Sequence, residues 1–295
     1  FILYANIDNF DPKAHPLDSV ELTLMDKWLL SKLNTLVRFV DEGLETYKVT
    51  ESSRAIAAFV DELSNWYVRR GRERFWGKGM EGSKEAAFAT LYHVLVTLCK
   101  LLAPYTPFMA ENMYQNLVRT AYEDAPESVH FCDFPAYEEK YVDAELEKNM
   151  EALLEVIQAG RACRNVANMK IRQPAAALYV KGVSFPEDFA ALARDELNVK
   201  AVRFVDDARE FTTYSLKPQL RTLGKKYGKL LNGIREALAA MDGNEVVDAF
   251  ARGELVKFDV DGSEVVLEEV DVLTSPAQKP GFVAQTDGGV TVVLD

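Results

Sequence analysis

Apolar residues recur every three or four positions through the first half of the chain, the spacing of helices that bury one face. The clearest stripe runs from residue 22 to residue 47 and contains Leu29, Leu33, Leu36, Val40, Leu44 and Tyr47. The same spacing predicts a second helix capped by Thr50, a third capped by Ser83, a fourth at 108–119 and a fifth at 144–166. Five helices with short connections are typical of an antiparallel bundle.

The pattern changes after residue 173, where short runs of β-branched and aromatic residues replace the helical stripe. These runs lie at residues 177–180, 199–205, 212–215, 255–260, 264–270 and 289–294. Asp-Gly pairs at 261–262 and 287–288 predict hairpin turns, and helical spacing returns at residues 186–197, 218–241 and 244–252. The sequence therefore predicts a mainly α chain, with an antiparallel helical bundle over residues 1–173 and a smaller α+β domain over residues 174–295.

The composition is that of a globular protein. The chain has 295 residues, 48% apolar and 27% charged, which suggests about two domains. It has no apolar run of the roughly 18 residues that a membrane helix needs and no secretory signal, so we expect no membrane partner and a cytoplasmic location. Its start, which is not Met, indicates a piece of a longer protein. Cys99, Cys132 and Cys163 form no CxxC pair, so we expect neither a metal site nor a disulfide framework.

One short stretch, residues 65–76, reads NWYVRRGRERFW and holds four arginines and four aromatic residues in a chain of net charge −12. On a helix of about 100° per residue, Arg70 and Arg74 point toward the buried stripe, and Arg69, Arg72 and Trp76 toward the opposite side. Guanidinium groups bind phosphate oxygens and an indole ring can stack on a base, so the stretch predicts recognition of single-stranded or loop RNA. The alternative is structural: Arg70 and Arg74 pair with carboxylates of the bundle, and the rings fill its core.

Two further segments concentrate positive charge. Residues 156–186 and 211–235 contain Lys and Arg but no Asp or Glu, whereas seven acids and one lysine lie within residues 254–271. Such segregation is typical of a basic, phosphate-binding surface on an otherwise anionic body. From these segments the predicted RNA contacts are Arg161, Arg164, Lys170, Arg172, Lys225 and Lys226.

Several ordered motifs resemble a known family. FILYANIDNFDP, MDKWLLSKLN, SNWYVRRGRERFW, LLAPYTPFMAENMYQNL and SVHFCDFP resemble the anticodon-binding helical domain of class I aminoacyl-tRNA synthetases, specifically that of the isoleucyl-tRNA synthetases. Further on, KIRQPAAALYV, DELNVKAVRFV and LKPQLRTLGKKYGKLL resemble the region after the bundle in the longer form of these enzymes. The resemblance covers nearly the whole chain. It implies that the partner is a tRNA, isoleucine tRNA in particular, whose anticodon stem and loop the basic residues above contact.

The resemblance also implies what this chain does not hold. The family's His-x-Gly-His element and Lys-Met-Ser-Lys-Ser loop, which bind ATP, have no counterpart here, because His15, His93 and His130 are far apart. We therefore expect no catalytic or cofactor-binding residue in the chain. ATP and Mg belong to the catalytic domain of the same enzyme, which is a second expected partner. The fragment is expected to be monomeric and unable to aminoacylate alone.

Two alternatives remain open from the sequence. The chain could be the same region of a valyl-tRNA synthetase, because isoleucyl identity rests on the resemblance and not on the chemistry of the residues. It could also be a non-catalytic helical scaffold that docks other proteins. Salt distinguishes the scaffold from an RNA-binding domain, since RNA binding weakens steeply with salt and an apolar docking face does not.

Overall fold

The computed structural model describes residues 1–79, 82–207, 211–260, 262–279, 281–287 and 289–295, without the side chains of residues 212, 225, 276–278 and 287. The chain divides into two compact units, residues 1–148 and 149–295. The domain boundary predicted between residues 173 and 174 stays a prediction. The helices of the first unit and the small mixed sheets of the second confirm the predicted fold class, a helical bundle followed by an α+β part.

The helices of the first unit follow the apolar stripes. They are α1 (Ile2–Ile7), α2 (Leu24–Glu45), α3 (Val49–Glu62), α4 (Arg72–Trp76), α5 (Ser83–Leu102), α6 (Pro107–Tyr114) and the start of α7 (Ala144–Val166). π-Helical turns, Leu63–Val68 and Gln115–Arg119, extend α3 and α6. A capping box between Thr23 and Asp26 starts α2, in which the Thr23 amide donates to Asp26 Oδ2 at 2.9 Å. The Thr23 hydroxyl also donates to Asp26 Oδ2, at 2.7 Å.

Two of the predicted helix caps are wrong. Helix α3 begins at Val49, one residue before Thr50, and the residue that precedes α5 is Gly82, so Ser83 lies inside the helix. The Ser83 hydroxyl accepts instead a hydrogen bond from Arg74 Nε at 2.7 Å. A hydroxyl-bearing residue near a helix start is thus available for a tertiary contact as well as for a cap.

Helix α5 is the central helix of the first unit. It contacts α2, α4 and α6, and its buried residues include Phe88, Val94 and Leu98. Within the described residues, α5 alone has the length and apolar composition of a helix that could cross a membrane, and 56% of its apolar window is buried in the protein. This finding differs from the sequence analysis, which identified no apolar stretch of that length, and the buried residues of α5 are typical of a core helix.

The second unit combines the rest of α7 with shorter helices and strands. The helices are α8 (Glu187–Leu197), α9 (Leu220–Tyr227), α10 (Leu231–Ala240) and α11 (Gly243–Ala251). The strands are β1 (Ala175–Lys181), β2 (Val199–Phe204), β3 (Thr212–Pro218), β4 (Val256–Val260), β5 (Ser263–Leu267), β6 (Val272–Gln278), β7 (Val283–Asp287) and β8 (Val290–Leu294). A 3-10 turn at Gly228–Leu230 divides the helix that the sequence predicts at 218–241.

Among the described strands, the largest sheet has the order β2-β1-β8-β7. Strands β1 and β2 are parallel, with α8 as the crossover between them, and β8 is antiparallel to both β1 and β7. Strand β3 pairs with β6, and β4 pairs with β5. Their core includes Leu216, Leu223, Ile234 and Leu238, which are buried.

The β4–β5 hairpin turns at the predicted Asp-Gly pair 261–262. In the β7–β8 hairpin Asp287 still pairs with Val290, so the turn comes one residue later than the predicted pair 287–288. Gly262 and Gly289 have φ values of 77° and 91°, which glycine adopts without steric cost. Asp261 and Gly288, which belong to the predicted Asp-Gly pairs, lie outside the described residues. Strands β6 and β7 have no counterpart in the prediction, because β6 contains Pro276, which argues against a strand, and β7 is short and largely polar.

Candidate nucleic-acid interface

The basic-aromatic stretch does not continue α3 as one straight helix. After α3 the chain widens into the π-helical turn at Leu63–Val68, and α4 begins only at Arg72. A wheel of 100° per residue therefore fails beyond residue 63, because a π-helix has more residues per turn. Gly71 permits the change of direction: its amide donates to the Tyr67 carbonyl oxygen at 2.8 Å, and a Cβ at this position would lie 2.7 Å from the same oxygen.

Arg74 turns inward and binds a buried carboxylate. Its Nη1 and Nη2 donate to Oδ1 and Oδ2 of Asp26 at 3.0 and 2.8 Å, and Nη2 also donates to the Ser83 carbonyl oxygen at 2.9 Å. Asp26 is fully buried and accepts a further hydrogen bond from the Tyr67 hydroxyl at 2.5 Å. Arg74 thus makes the pairing with a bundle carboxylate that the structural alternative described. Its contact with RNA stays a prediction.

At neutral pH Asp26 is ionised and Arg74 is protonated. Burial alone would raise the pKa of Asp26, but hydrogen bonds from Arg74 and Tyr67 and the charge of Arg74 outweigh it, so the pKa lies below its usual value. Burial would lower the pKa of Arg74, and the bonds to Asp26 raise it instead. Burial and the Asp26 charge raise the pKa of Tyr67 well above its usual value. A charged, hydrogen-bonded pair therefore ties α4 to α2 and α5.

Arg69, Arg72 and Trp76 line one cavity on the outer side of the same segment. The cavity has a volume of about 200 Å³, and aromatic side chains, including Tyr4 of α1, form much of its lining. The Arg72 guanidinium lies 5.1 Å from the centre of the Trp76 ring, a cation–π distance, and Trp76 is 58% exposed. Arg69 Nε donates to the Asn65 carbonyl oxygen at 3.0 Å, which orients its guanidinium. The structure therefore brings together the three residues that the wheel placed on one side.

Lys84 fixes the backbone on two sides of this cavity. Its side chain is 5% exposed, and its Nζ donates to the carbonyl oxygen of Gly77, the residue after Trp76, at 2.6 Å. The same Nζ lies 2.9 Å from Oδ2 of Asp8, which follows α1 and hence Tyr4. Sequence reasoning missed both Tyr4 and Lys84. The aromatic residues at the start of the chain could have indicated a role for Tyr4. Nothing in the sequence distinguishes Lys84 from other lysines near a helix start. Arg70 is half-buried and is not among the residues that line the cavity.

Arg164, in the second unit, is buried and donates its hydrogen bonds to backbone carbonyl oxygens. Its side chain is 2% exposed, and its Nε donates to the Leu197 carbonyl oxygen at 2.8 Å. Its Nη atoms donate to the carbonyl oxygens of Lys170, Gln173 and Asn198 at 2.8 to 3.0 Å. Burial lowers the pKa of this guanidinium. Arg164 therefore ties the end of α7 to the segments before β1 and after α8, and RNA contact by this residue stays a prediction.

Two other predicted residues of the second unit have acidic partners. Arg161 forms a salt bridge with Glu196. Lys226 Nζ lies 3.0 Å from Oδ2 of Asp271, whose side chain is buried, and hydrogen bonding to this carboxylate raises the pKa of Lys226. Part of the positive charge counted from the sequence is therefore balanced locally.

Three predicted residues remain. Lys170 and Arg172 are exposed, and the side chain of Lys225 lies outside the described residues.

The described residues offer little for catalysis. His93 is half-buried, its ring centre lies 6.2 Å from that of Tyr141, and burial lowers its pKa. Within the described part of the chain, no group of three or more His, Cys, Asp or Glu side chains is placed to hold a metal ion. The expectations of no metal and no cofactor in this region stay predictions.

A model of the protein family described as the anticodon-binding domain of tRNA ligases matches residues 26–180, more than half of the chain. The chain belongs to this family. The match includes the basic-aromatic stretch, α5, α6 and all of α7. An anticodon-binding domain of a tRNA ligase binds tRNA, so the predicted class of partner is confirmed.

Individual relatives of this anticodon-binding domain agree on one enzyme name. The chain is 42% identical to the isoleucine–tRNA ligases of Clostridium acetobutylicum and Clostridium novyi, and 40% identical to isoleucine–tRNA ligase 2 of Bacillus cereus. Each match covers the whole of this chain and 28% of the relative. The resemblance to isoleucyl-tRNA synthetases is confirmed, and the valyl and scaffold alternatives are not favoured.

Proposed function

We propose that this chain is the part of an isoleucine–tRNA ligase that binds the anticodon stem and loop of isoleucine tRNA. The observation that carries the proposal is the cavity of Arg69, Arg72 and Trp76, because it places guanidinium groups and an exposed indole together. Its basic residues and its indole belong to the region that matches the anticodon-binding family. The names of the relatives, at 37–42% identity, support isoleucine as the amino acid.

The binding chemistry follows from the side chains around the cavity. Arg69 and Arg72 can donate hydrogen bonds to phosphate oxygens and so set the position of the RNA backbone. Trp76 offers a flat, exposed face on which an unpaired base can stack, and Arg72 beside it adds positive charge to that face. Arg74 and Lys84 bond to the backbone and carboxylates around these groups, which reduces the ordering that RNA binding would require.

The whole enzyme would attach isoleucine to this tRNA with ATP and Mg, which a catalytic domain outside these residues would hold. In that arrangement the present chain performs no chemical step and contributes to the choice of tRNA. We further propose that it works in the cytoplasm, as a monomer, joined to that catalytic domain.

Substitution of the exposed residues tests the proposal. We expect Arg72→Gln and Trp76→Ala each to weaken binding of an isoleucine anticodon hairpin by about 1–3 kcal/mol, the scale of one stacked base or one good base contact. The assay is fluorescence anisotropy of a labelled hairpin at several salt concentrations. Arg54→Gln is a matched control, because it removes the same charge from an exposed position on α3.

The outcomes separate the proposal from the scaffold alternative. Loss of affinity in both variants, with binding that weakens steeply as salt rises, supports the RNA site. Unchanged affinity in both variants, or binding that ignores salt, would show that this cavity does not hold RNA.

A further inference from the structure

A cavity of about 530 Å³ lies on the second unit and has mainly aliphatic walls. That volume is within the range of clefts that bind ligands. Its lining consists of residues 215–220, from β3 to the first residue of α9, together with Arg235 and Ala239 of α10 and Leu273 of β6. We call this cavity the β3–α10 groove. All of these residues lie beyond residue 180, where the match to the anticodon-binding family ends.

Two leucines of the β3–α10 groove are left largely in water. Leu220 is 56% exposed and Leu273 is 49% exposed. An exposed leucine gives up the free energy that burial of its side chain would provide. Leucines scattered singly over a surface need no explanation, but these two line one cavity and form an apolar patch, and such patches commonly mark binding sites.

The core below the groove holds its walls in place. Leu216, which also lines the groove, is 6% exposed and belongs to the same buried cluster as Ile234 and Leu238. Next to it in the chain, the Gln219 amide donates to the Asp271 carbonyl oxygen at 2.9 Å and so fixes the start of α9. Walls that are already ordered lose little conformational freedom when a ligand binds, which favours binding.

Two cations flank the exposed leucines. Lys217 of β3 lies directly opposite Leu273 of β6, so their side chains are on the same face of this strand pair. Arg235 of α10 lines the same groove. Both cations are exposed, and among the described residues no Asp or Glu lines the groove. The groove therefore combines an apolar surface with positive charge.

Two acids at neighbouring positions do not remove this charge. Glu236 follows Arg235 on α10 but is not among the residues that line the groove. Asp271, which precedes β6, is fully buried and lies 3.0 Å from Lys226 Nζ, so it is already paired. The acid-free segment 211–235, which the sequence marked as basic, thus contributes both cations of the groove.

The aliphatic walls favour a protein segment over RNA. RNA phosphates could pair with Lys217 and Arg235, but the described lining contains no aromatic ring on which a base could stack. RNA would therefore leave Leu220 and Leu273 in water. A peptide with an apolar side chain would cover both leucines, and acidic residues beside that side chain would match the cations.

We propose that the β3–α10 groove docks a short acidic peptide segment of a partner protein. An apolar side chain of the peptide packs against Leu220 and Leu273, and its carboxylates pair with Lys217 and Arg235. The proposal goes beyond the RNA-binding function and does not depend on it, because the groove shares no residue with the cavity that carries that function.

Selection of short random peptides displayed on phage, against the 295-residue chain, tests the proposal. We expect the selected peptides to combine Leu, Ile or Phe with flanking Asp or Glu. One of them is then synthesised and titrated by fluorescence anisotropy. Leu220→Ser should weaken its binding by about tenfold, because the peptide's apolar side chain loses its contact. Lys217→Glu should also weaken it by about tenfold, and this loss should shrink as salt screens the charges.

Leu255→Ser and Lys257→Glu are matched controls in the same unit. Leu255 is 50% exposed, Lys257 is exposed on β4, and neither lines the groove. We expect both variants to bind the peptide like wild type. Leu220→Met keeps an apolar side chain and should keep the affinity, so it separates a lost contact from misfolding, which circular dichroism of each variant would also detect.

The contrary outcomes overturn the proposal. If selection enriches no peptide, or only peptides whose binding Leu220→Ser and Lys217→Glu leave unchanged, the groove is not a peptide site. If these variants weaken binding of the isoleucine anticodon hairpin and not of the peptide, the groove holds RNA. If sedimentation shows concentration-dependent dimers that Leu220→Ser abolishes, the groove serves a second copy of the chain. The cavity of Arg69, Arg72 and Trp76 is judged separately, by its own variants.

Discussion

Arg72 and Arg74 are two residues apart and carry the same charge, but Arg72 is exposed whereas Arg74 pairs with the buried Asp26. Substitution of Arg74 by Gln should destabilise the first unit, because Asp26 would remain buried without its counter-charge. Substitution of Arg72 by Gln should leave stability nearly unchanged, because Arg72 is exposed. RNA affinity should respond to Arg72 directly, and to Arg74 only through the geometry of the site.

The size of the effect follows from the contacts of Asp26. Removal of one partner from a buried ion pair costs about 3–5 kcal/mol, since the remaining charge keeps its desolvation penalty. The Tyr67 hydroxyl and both donors of Thr23 would still bond the carboxylate, so we expect the lower end, about 3 kcal/mol. A surface substitution such as Arg72→Gln usually stays within about 0.5 kcal/mol.

Urea unfolding followed by tryptophan fluorescence measures these changes, because Trp28 is 1% exposed and lies two residues from Asp26. A double-mutant cycle with Asp26→Asn isolates the pair, and we expect a coupling energy of about 2 kcal/mol. Acidification provides a second check. The native pKa of Asp26 is lowered, so its contribution is complete above its unfolded pKa and is lost as pH falls through the native value. Arg74→Gln should weaken this acid dependence.

Equal stability of the Arg72→Gln and Arg74→Gln variants would refute this reasoning. A coupling energy near zero would do the same, because it would mean that Asp26 gains nothing from Arg74 despite hydrogen bonds at 2.8 and 3.0 Å.

Two further predictions concern stability. Burial lowers the native pKa of His93 below its unfolded value, so the free energy of unfolding should fall as pH drops through about 6.5. His93→Phe should make the free energy of unfolding, measured with urea between pH 8 and 5, depend less on pH. Gly43→Ala should cost about 1–3 kcal/mol, because the added Cβ would lie 2.2 Å from the Ser52 Oγ where α2 meets α3. Ser52→Ala should restore most of that loss, and an equal loss with and without it would contradict the steric cause.

Periodicity predicted most of the first unit because its helices each bury one face against common neighbours. In the stripe predicted for α2, Leu29, Leu33 and Val40 are buried, whereas Tyr47 lies beyond the end of the helix and is 90% exposed. Helix α7 has the bounds that the pattern predicts, Ala144–Val166. The prediction failed where tertiary contacts replace local rules. The hydroxyl of Ser83 bonds Arg74 and does not cap α5.

The candidate site could be predicted only in part, for the same reason. Arg69, Arg72 and Trp76 are close in sequence and line one cavity, as the wheel predicted, although the π-helical turn and the break before Arg72 depart from a regular 100° spacing. The wheel also predicted that Arg74 points inward, but it could not identify the partner, because Asp26 lies 48 residues earlier in the chain.

The central claim is that this chain selects isoleucine tRNA through its anticodon hairpin, and a competitive titration tests it most directly. The chain would be titrated with isoleucine and valine anticodon hairpins and with versions whose anticodons are exchanged. We predict at least about tenfold tighter binding, or about 1.4 kcal/mol, to whichever hairpin carries the isoleucine anticodon. Equal affinity for all of the hairpins would contradict the claim, and binding that follows the stem instead of the anticodon would contradict it as well.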